Sequence, residues 1–488
     1  MAGMAGIVSK RATSKKVGKM LNQIRHRGKD NSLVQKTSLG SVGFVGVDLS
    51  SHKSIGYSAG KGPQVVIDGA LVREDHQKQE ISDAEYLKQL YAAYGKKAFS
   101  QVKGSFACAV LDEQECVIAR DHVGARPLIY SMQGGEFVFA SEGKSLTKLT
   151  DEVDELPPGH YYSTRDGLQP FQQESLPKLP DCGTKDGAIK AVRESVIDAI
   201  SQAMENGKLK AVALSGGLDS SIILSVAREF NKDLLAFSAT LDENPGEDLE
   251  YAKMMAKYTG AEHHIYRITR KDIENIIPKA VYHLESFDED CISGFIANYY
   301  TSRLASEHVN SVLVGEGADE LFGGYFRELK DIDDPEEKER VGKRLVEVAY
   351  NTALRRLDRA WMANGVEYFA PFIDPVVVAV ALSVPMEYKV YQGEEPIEKW
   401  VLREAFRDML PQEIADRPKM RFARGVGVDF LMDKAVEKHV SSKDYEKQPK
   451  SKNGMDLNSP KELYYYQLFQ KHFPQGYEGL TGRWDPFK

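Results

Sequence analysis

Cysteine is scarce in this chain of 488 residues, with Cys108, Cys116, Cys182 and Cys291 the only four. They are scattered without the spacing of metal ligands, which argues against a disulfide scaffold and fits a reducing cytosol with buried or idle thiols. Long apolar runs are missing too. No stretch reaches the ~18 residues of a membrane span and no charged, apolar, small-residue leader opens the sequence, so a cytoplasmic address is expected. Lys and Arg number 64 against 72 Asp and Glu, a formal net charge of -8. The concentrated positive excess that neutralises nucleic-acid phosphates is therefore lacking, and neither nucleic acid nor membrane is expected as a partner. The remaining composition is that of an ordinary soluble protein. At this length one hydrophobic core does not suffice, and two domains are the expectation.

Two familiar nucleotide loops are also absent: there is no Walker lysine at the required spacing and no GxGxxG. A different phosphate cradle takes their place. The apolar run at 209–214 has the length of a buried strand, Ser215, Gly216 and Gly217 follow it directly, and a helical pattern runs from 220 to 230. The glycines let the backbone approach an anion, the first-turn amides favour phosphate, and Ser215, Ser220 and Ser221 add hydroxyls. Asp219 would repel phosphate unless a divalent cation lay between them, so the loop implies magnesium as well as ATP. The plain alternative is a glycine-rich strand-to-helix turn that merely packs. The stretch Ser-Gly-Gly-Leu-Asp-Ser-Ser resembles the pyrophosphate loop of the ATP pyrophosphatase family, whose members split ATP between its α and β phosphates to adenylate a substrate.

Residues 1–182 read as short strands separated by turns, at 41–47, 64–67, 106–111, 116–119 and 137–140, with one helix at 83–94. Arg25-His26-Arg27-Gly28, the segments at 104–107 and 120–128, and Ala140-Ser141-Glu142-Gly143-Lys144 are similar, in order, to markers of the class II glutamine amidotransferase domain. The resemblance implies an antiparallel sandwich of the N-terminal-nucleophile hydrolase type. It also implies a catalytic N-terminal cysteine, whose thiolate attacks glutamine while its own amine serves as base. The matching start reads Met4-Ala5-Gly6-Ile7, and Ala5 has no nucleophile. The family's Asn-Gly-Glu has become Asp68-Gly69-Ala70, and its early His-Glu-Arg has no counterpart near 44–48. A degenerate domain that does not hydrolyse glutamine is expected. Residues 172–186 carry two prolines, several charges and Gly183 without apolar periodicity, which reads as a surface linker with the boundary near Cys182.

Residues 183–488 alternate helices with short apolar strands, the pattern of a parallel α/β domain with nucleotide at the carboxyl ends of its strands. Leu214 ends the first strand, and Ser238 and Ala239, near the end of the second, match the family's adenine and ribose position. Adjacent strand residues face opposite sides, which makes His263 and His264 a poor metal pair. A second signal is the strand ending at Val314, which enters Gly315-Glu316-Gly317-Ala318-Asp319-Glu320, a glycine-bracketed acidic loop. It resembles the asparagine synthetase motif Ser-Gly-Glu-Gly-Ser-Asp-Glu, whereas β-lactam synthetases carry tyrosine where Glu316 stands. The resemblance implies that Asp219 and Asp319 share one magnesium and that Glu316 stands beside the reacting carboxylate. Arg417-Pro418-Lys419, followed by Gly425-Val426-Gly427, is similar to a stretch whose lysine contacts the reacting phosphates, a role that falls to Lys419. Taken alone, so mixed a charge run reads as a solvated loop.

Two departures bear on the acceptor. Where asparagine synthetases have Thr-Ile-Arg-Ala-Ser this chain has Ser293 in place of the arginine, and the family's Gly-Val-Glu-Ala-Arg-Val-Pro-Phe recurs at 365–372 without its arginine. The expected enzyme adenylates a small carboxylate with ATP and magnesium and lets ammonia or an amine displace AMP; asparagine formation with free ammonia is the leading version. The alternatives are an amide-forming relative of the β-lactam synthetase or peptide-cyclising kind, and a non-catalytic nucleotide-binding subunit. A homodimer is compatible with all three.

Overall fold

The computed structural model describes residues 2–46, 56–58, 60, 62–72, 81–171, 181–205, 209–243, 245–325, 329, 332, 334–391, 397–418 and 428–483. The early strands form two antiparallel sheets. One runs, edge to edge, Asp154–Glu155, Ile129–Gln133, Glu136–Ala140, Ala2–Val8, Gly40–Gly46 and Asn31–Lys36. The other runs Gly167–Pro170, His160–Ser163, Cys116–Arg120, Lys103–Leu111, Gln64–Val72 and Tyr57–Ser58.

The two-residue period of a strand decides what each face meets. Met4, Val42, Phe44, Phe137 and Phe139 of the first sheet pack on Val66, Ala107, Ala109 and Ile118 of the second, which makes the sandwich. The alternate residues Val65, Ile67, Cys108, Val110 and Val117 pack beneath helix Asp83–Tyr94. The outer face of the first sheet, with Ala5, Ile7, Val45, Val138 and Ala140, joins Ile276, Ala280, Leu284, Phe287 and Phe295 from the later helices in one unbroken cluster. The sandwich is thus welded to the second half by apolar burial.

The second half contains a five-stranded parallel sheet in the spatial order Glu262–Ile268, Leu235–Leu241, Ala211–Ala213, Ser311–Leu313, Glu367–Phe369. Strand order reverses between Ala211–Ala213 and Ser311–Leu313, and a crevice at the carboxyl ends of such a pair is the standard ligand position in open α/β sheets. The phosphate loop leaves one of these two strands and the acidic loop leaves the other.

One sequence expectation is corrected. Cys182 is buried, and helix Lys185–Met204 starts inside the stretch read as a surface linker, capped by Thr184, whose hydroxyl accepts from the Gly187 amide at 3.2 Å. The helix start is hidden in the sequence because the capping threonine and the charged first turn carry no apolar period. Residues 172–180 lie outside the described residues.

Candidate active site

The phosphate loop is shaped by its own hydroxyls. Ser215 N–H donates to Ser220 Oγ at 3.1 Å, the Ser215 and Ser220 hydroxyls lie 3.0 Å apart, and Gly217 N–H donates to Ser215 Oγ at 3.2 Å. Gly216 is held at φ +81°, and a Cβ there would come within 2.4 Å of the Asp248 carbonyl oxygen and 2.6 Å of the Ala252 nitrogen. Only glycine meets both demands. Helix Leu218–Phe230 begins directly after the turn, with Asp219 in its first turn. The Ser221 hydroxyl is buried without a hydrogen-bond partner, as a loop shaped for an oxygen-rich ligand would leave it.

The acidic loop lies against this turn. A Cβ on Gly315 would meet the Ser220 nitrogen at 3.0 Å and Asp219 Cβ at 3.1 Å, so the two loops touch backbone to backbone. Gly317, at φ +99°, opens helix Ala318–Phe322 and turns Asp319 toward Asp219. The two carboxylates converge on one point, which is marked by the ammonium of Lys399. Its Nζ is 2.7 and 2.6 Å from the Asp219 oxygens and 2.5 Å from Asp319 Oδ1. A position within reach of both carboxylates fits a magnesium ion, which takes one or two protein carboxylates and completes its shell with phosphate and water.

Glu316 accepts from Arg356 Nη2 at 2.8 Å. A Cβ on Gly294 would fall 2.6 Å from Arg356 Cδ, so the guanidinium stem crosses helix Glu289–Ala305 just where the sequence lacks the expected arginine, at Ser293. Behind these groups, Tyr325 donates to Glu320 at 2.6 Å, and burial, reinforced by Asp319 and Glu316, pushes Glu320 up to about 7.

On the nucleotide side, Ser238 Oγ donates to the Leu214 carbonyl at 2.5 Å and therefore accepts from His263 Nε2 at 2.7 Å. Burial lowers His263 to about 4, which keeps the ring neutral. His264 faces the other way, stacked on Phe237 and tilted against His308. Leu214, Ala239 and Val314 have buried side chains, so these three can offer a ligand only their backbone. Arg417 ties the site together: it donates to the Gly216 carbonyl at 2.8 Å, pairs with Asp248 and lies 3.9 Å over the Tyr251 ring. Lys419 and residues 425–427 lie outside the described residues.

Sequence reasoning thus singled out Asp219, Asp319, Glu316 and the loop, all of which the fold assembles. It missed Lys399, Arg356 and the clamp role of Arg417. Arg417 stood within a quoted motif, but nothing in the spacing of either cation ties it to partners that lie far away in the chain. Among the described residues no group of three or more His, Cys, Asp or Glu is placed to hold a metal, and no helix is long and apolar enough to cross a membrane.

At the amidotransferase position, Ala5 sits in the middle of strand Ala2–Val8, paired to Gly43 on one side and Ala140 on the other. Its nitrogen is a peptide nitrogen following Met4, and Met4 N–H donates to Ser141 Oγ at 2.9 Å. Ser141 in turn donates to Asp68 Oδ2 at 3.0 Å. Arg27, fully buried, is engaged by Asp68 at 2.9 Å, Glu142 at 3.0 Å and Asp358 at 2.7 and 3.1 Å. Burial alone would raise Glu142, but Lys144, His26 and Arg359 hold it well below the usual carboxylate range.

The glutamine amidotransferase domain model matches residues 1–174, and the asparagine synthase model matches residues 191–345 and 333–481. Asparagine synthetase [glutamine-hydrolyzing] 2 of Oryza sativa subsp. japonica is 32% identical over 513 residues, which cover 96% of this chain and 84% of the relative. Its namesake in Arabidopsis thaliana is 31% identical over 520 residues, with 97% and 87% covered. Among solved structures, the glutamine phosphoribosylpyrophosphate amidotransferase from B. subtilis overlaps 54% of this chain and 65% of its own at 17% identity, with a TM-score of 0.31. The sequence relatives and family models place this chain in the asparagine synthetase family of ATP-dependent carbon–nitrogen ligases.

Proposed function

We propose that the chain forms an amide from a small carboxylate and free ammonia, with asparagine formation from aspartate as the leading reaction. The observation that carries this reading is the convergence of Asp219 and Asp319 on one cation-sized point beside the phosphate loop. Magnesium held there would offset the charge of the triphosphate tail and of departing pyrophosphate. The 215–221 loop grips that tail through its amides and hydroxyls. A carboxylate oxygen of the acceptor attacks the α phosphorus, the bond to the β-phosphate oxygen breaks, and the acyl-adenylate forms. Ammonia then attacks the acyl carbon, AMP leaves, and a proton passes to a nearby base. Glu316, at the mouth of the acidic loop, is assigned that proton, and Arg356 beside it brings a cation toward the acceptor in a region where two expected arginines are missing. Lys419 is assigned to charge on the phosphates, on the resemblance alone. We place the domain boundary near Cys182.

Free ammonia is favoured over glutamine because position 5 has no thiol and its nitrogen is locked in a peptide bond within a paired strand, so neither the nucleophile nor its amine base exists. The test is pyrophosphate release from ATP across a panel of acids, with ammonium or glutamine. Release that needs aspartate and ammonium, without glutamate production from glutamine, is expected. Dependence on another acid would favour a lactam-forming or cyclising relative. Silence with every acid would leave a nucleotide-binding subunit.

A further inference from the structure

Lys399 has no place in the reaction just described, yet it occupies the centre of the site. Its side chain is 2% exposed, its ammonium bridges Asp219 and Asp319, and its stem fits only because residue 324 is glycine: a Cβ there would lie 2.6 Å from Lys399 Cε and 2.1 Å from Asp319 Oδ1. The backbone is strained to deliver it. Lys399 sits at φ +53°, ψ +32°, and only one other non-glycine described residue, Glu285, has positive φ. A left-handed lysine is uncommon and persists only where its surroundings enforce it. Here they do: the Tyr391 and Ile397 backbones pair on one side at 3.0 Å, and the Lys399 carbonyl accepts from Arg403 N–H at 2.9 Å on the other.

An ammonium at 2.5–2.7 Å from these oxygens and a magnesium at ~2.1 Å from the same oxygens cannot be present together. We propose that Lys399 is a positioning residue that holds the metal site closed until nucleotide arrives. With no ligand, its single charge offsets one of the two aspartate charges, and its ammonium fills the point a divalent ion would occupy. Metal entry must expel a buried ammonium, which is unfavourable unless that ammonium gains a new anionic partner. The phosphate tail lying in the adjacent loop is that partner. Metal and nucleotide therefore bind with positive coupling, and the enzyme does not take up free magnesium. The inference rests on the magnesium site of the proposed function.

Mn2+ binding to the full chain, followed by the electron paramagnetic resonance of the free ion and read against a protein-free sample with the same Mn2+ and analogue, separates the two ideas. The wild type is expected to bind Mn2+ only with α,β-methylene-ATP present. K399M is expected to bind Mn2+ at least ~10-fold more tightly than wild type when nucleotide is absent, because one positive charge has left a pair of carboxylates. K399R, which keeps the charge, should still exclude the bare ion, and circular dichroism of both variants reports whether each folds. Equal Mn2+ affinity of wild type with and without the analogue would overturn the inference. So would a folded K399M that gains nothing. If no variant binds Mn2+ even with the analogue, the metal assignment itself fails, and the gating role with it.

Discussion

Asp319 and Asp219 follow strands that are neighbours in the sheet but stand a hundred positions apart in the chain, and the proposed magnesium site depends on their sharing one point. D319N keeps the size of the side chain but halves the charge that faces the cation. We expect pyrophosphate release to fall by about 10²–10³-fold, the cost of removing one preorganised charge-stabilising group, with the melting temperature serving as the control for folding. His263 makes a prediction of its own. Its folded pKa, about 4, lies below the 6.5 of an unfolded imidazole, so between these values the unfolded chain binds more protons than the folded one. Stability is then full above pH 6.5, declines as pH falls through that window, and changes no further from this source below about 4. H263Q, whose amide can place a donor near Ser238 but does not titrate, should show a flatter melting profile over the same range. A decline of the same slope in the variant would remove His263 as its origin. The aspartates and Glu316 were legible because each stands in a glycine-rich loop fed by an apolar strand. Lys399 was not, because a lysine's partner cannot be read from its neighbours in sequence.

The site is built from two strand-to-helix turns set back to back and a third segment, at Arg417, that clasps one of them. Gly216 is where the turn and helix Asp248–Thr259 meet most closely. G216A would place a methyl against backbone atoms at 2.4 and 2.6 Å in a left-handed conformation. The neighbouring atoms are main chain and cannot turn aside, so the loop must open. We expect a loss of ~2 kcal/mol or more in unfolding free energy, with ATP binding abolished in calorimetry. A variant that melts and binds like wild type would show that the loop tolerates another path. At this scale the sequence was informative: 83–94 was read as a helix and is one, and the strand segments fall where alternation put them. Ends were poorer, because a capping threonine and a charged first turn have no apolar period. Strand Gln64–Val72 likewise runs five residues past its expected end, through a glycine.

Across the whole molecule, the amidotransferase half is bound to the synthase half by apolar burial around Ala5 and Phe295 and by a buried set of charges around Arg27, Asp68, Glu142 and Asp358. Removing one member of such a set strands the others in a low dielectric. R27M should therefore cost about 3–5 kcal/mol of stability, read in urea unfolding. A change under 1 kcal/mol would mean that the carboxylates reach water or protonate at little cost. Arg27 donates to Asp358 in the synthase half as well as to Asp68 and Glu142 in its own, so the charge set spans both halves.

The sequence by itself determined the two sheet types, the phosphate loop, the acidic loop and the missing nucleophile, because each is written in contiguous residues whose spacing or chemistry is local. Tertiary structure alone decided that the two aspartates meet at one ammonium and that Arg356 crosses the helix beside Ser293. It also decided that Arg27 joins the halves. These depend on how separate elements approach in space, and side-chain contacts across a fold leave no period, cap or turn signature in the chain.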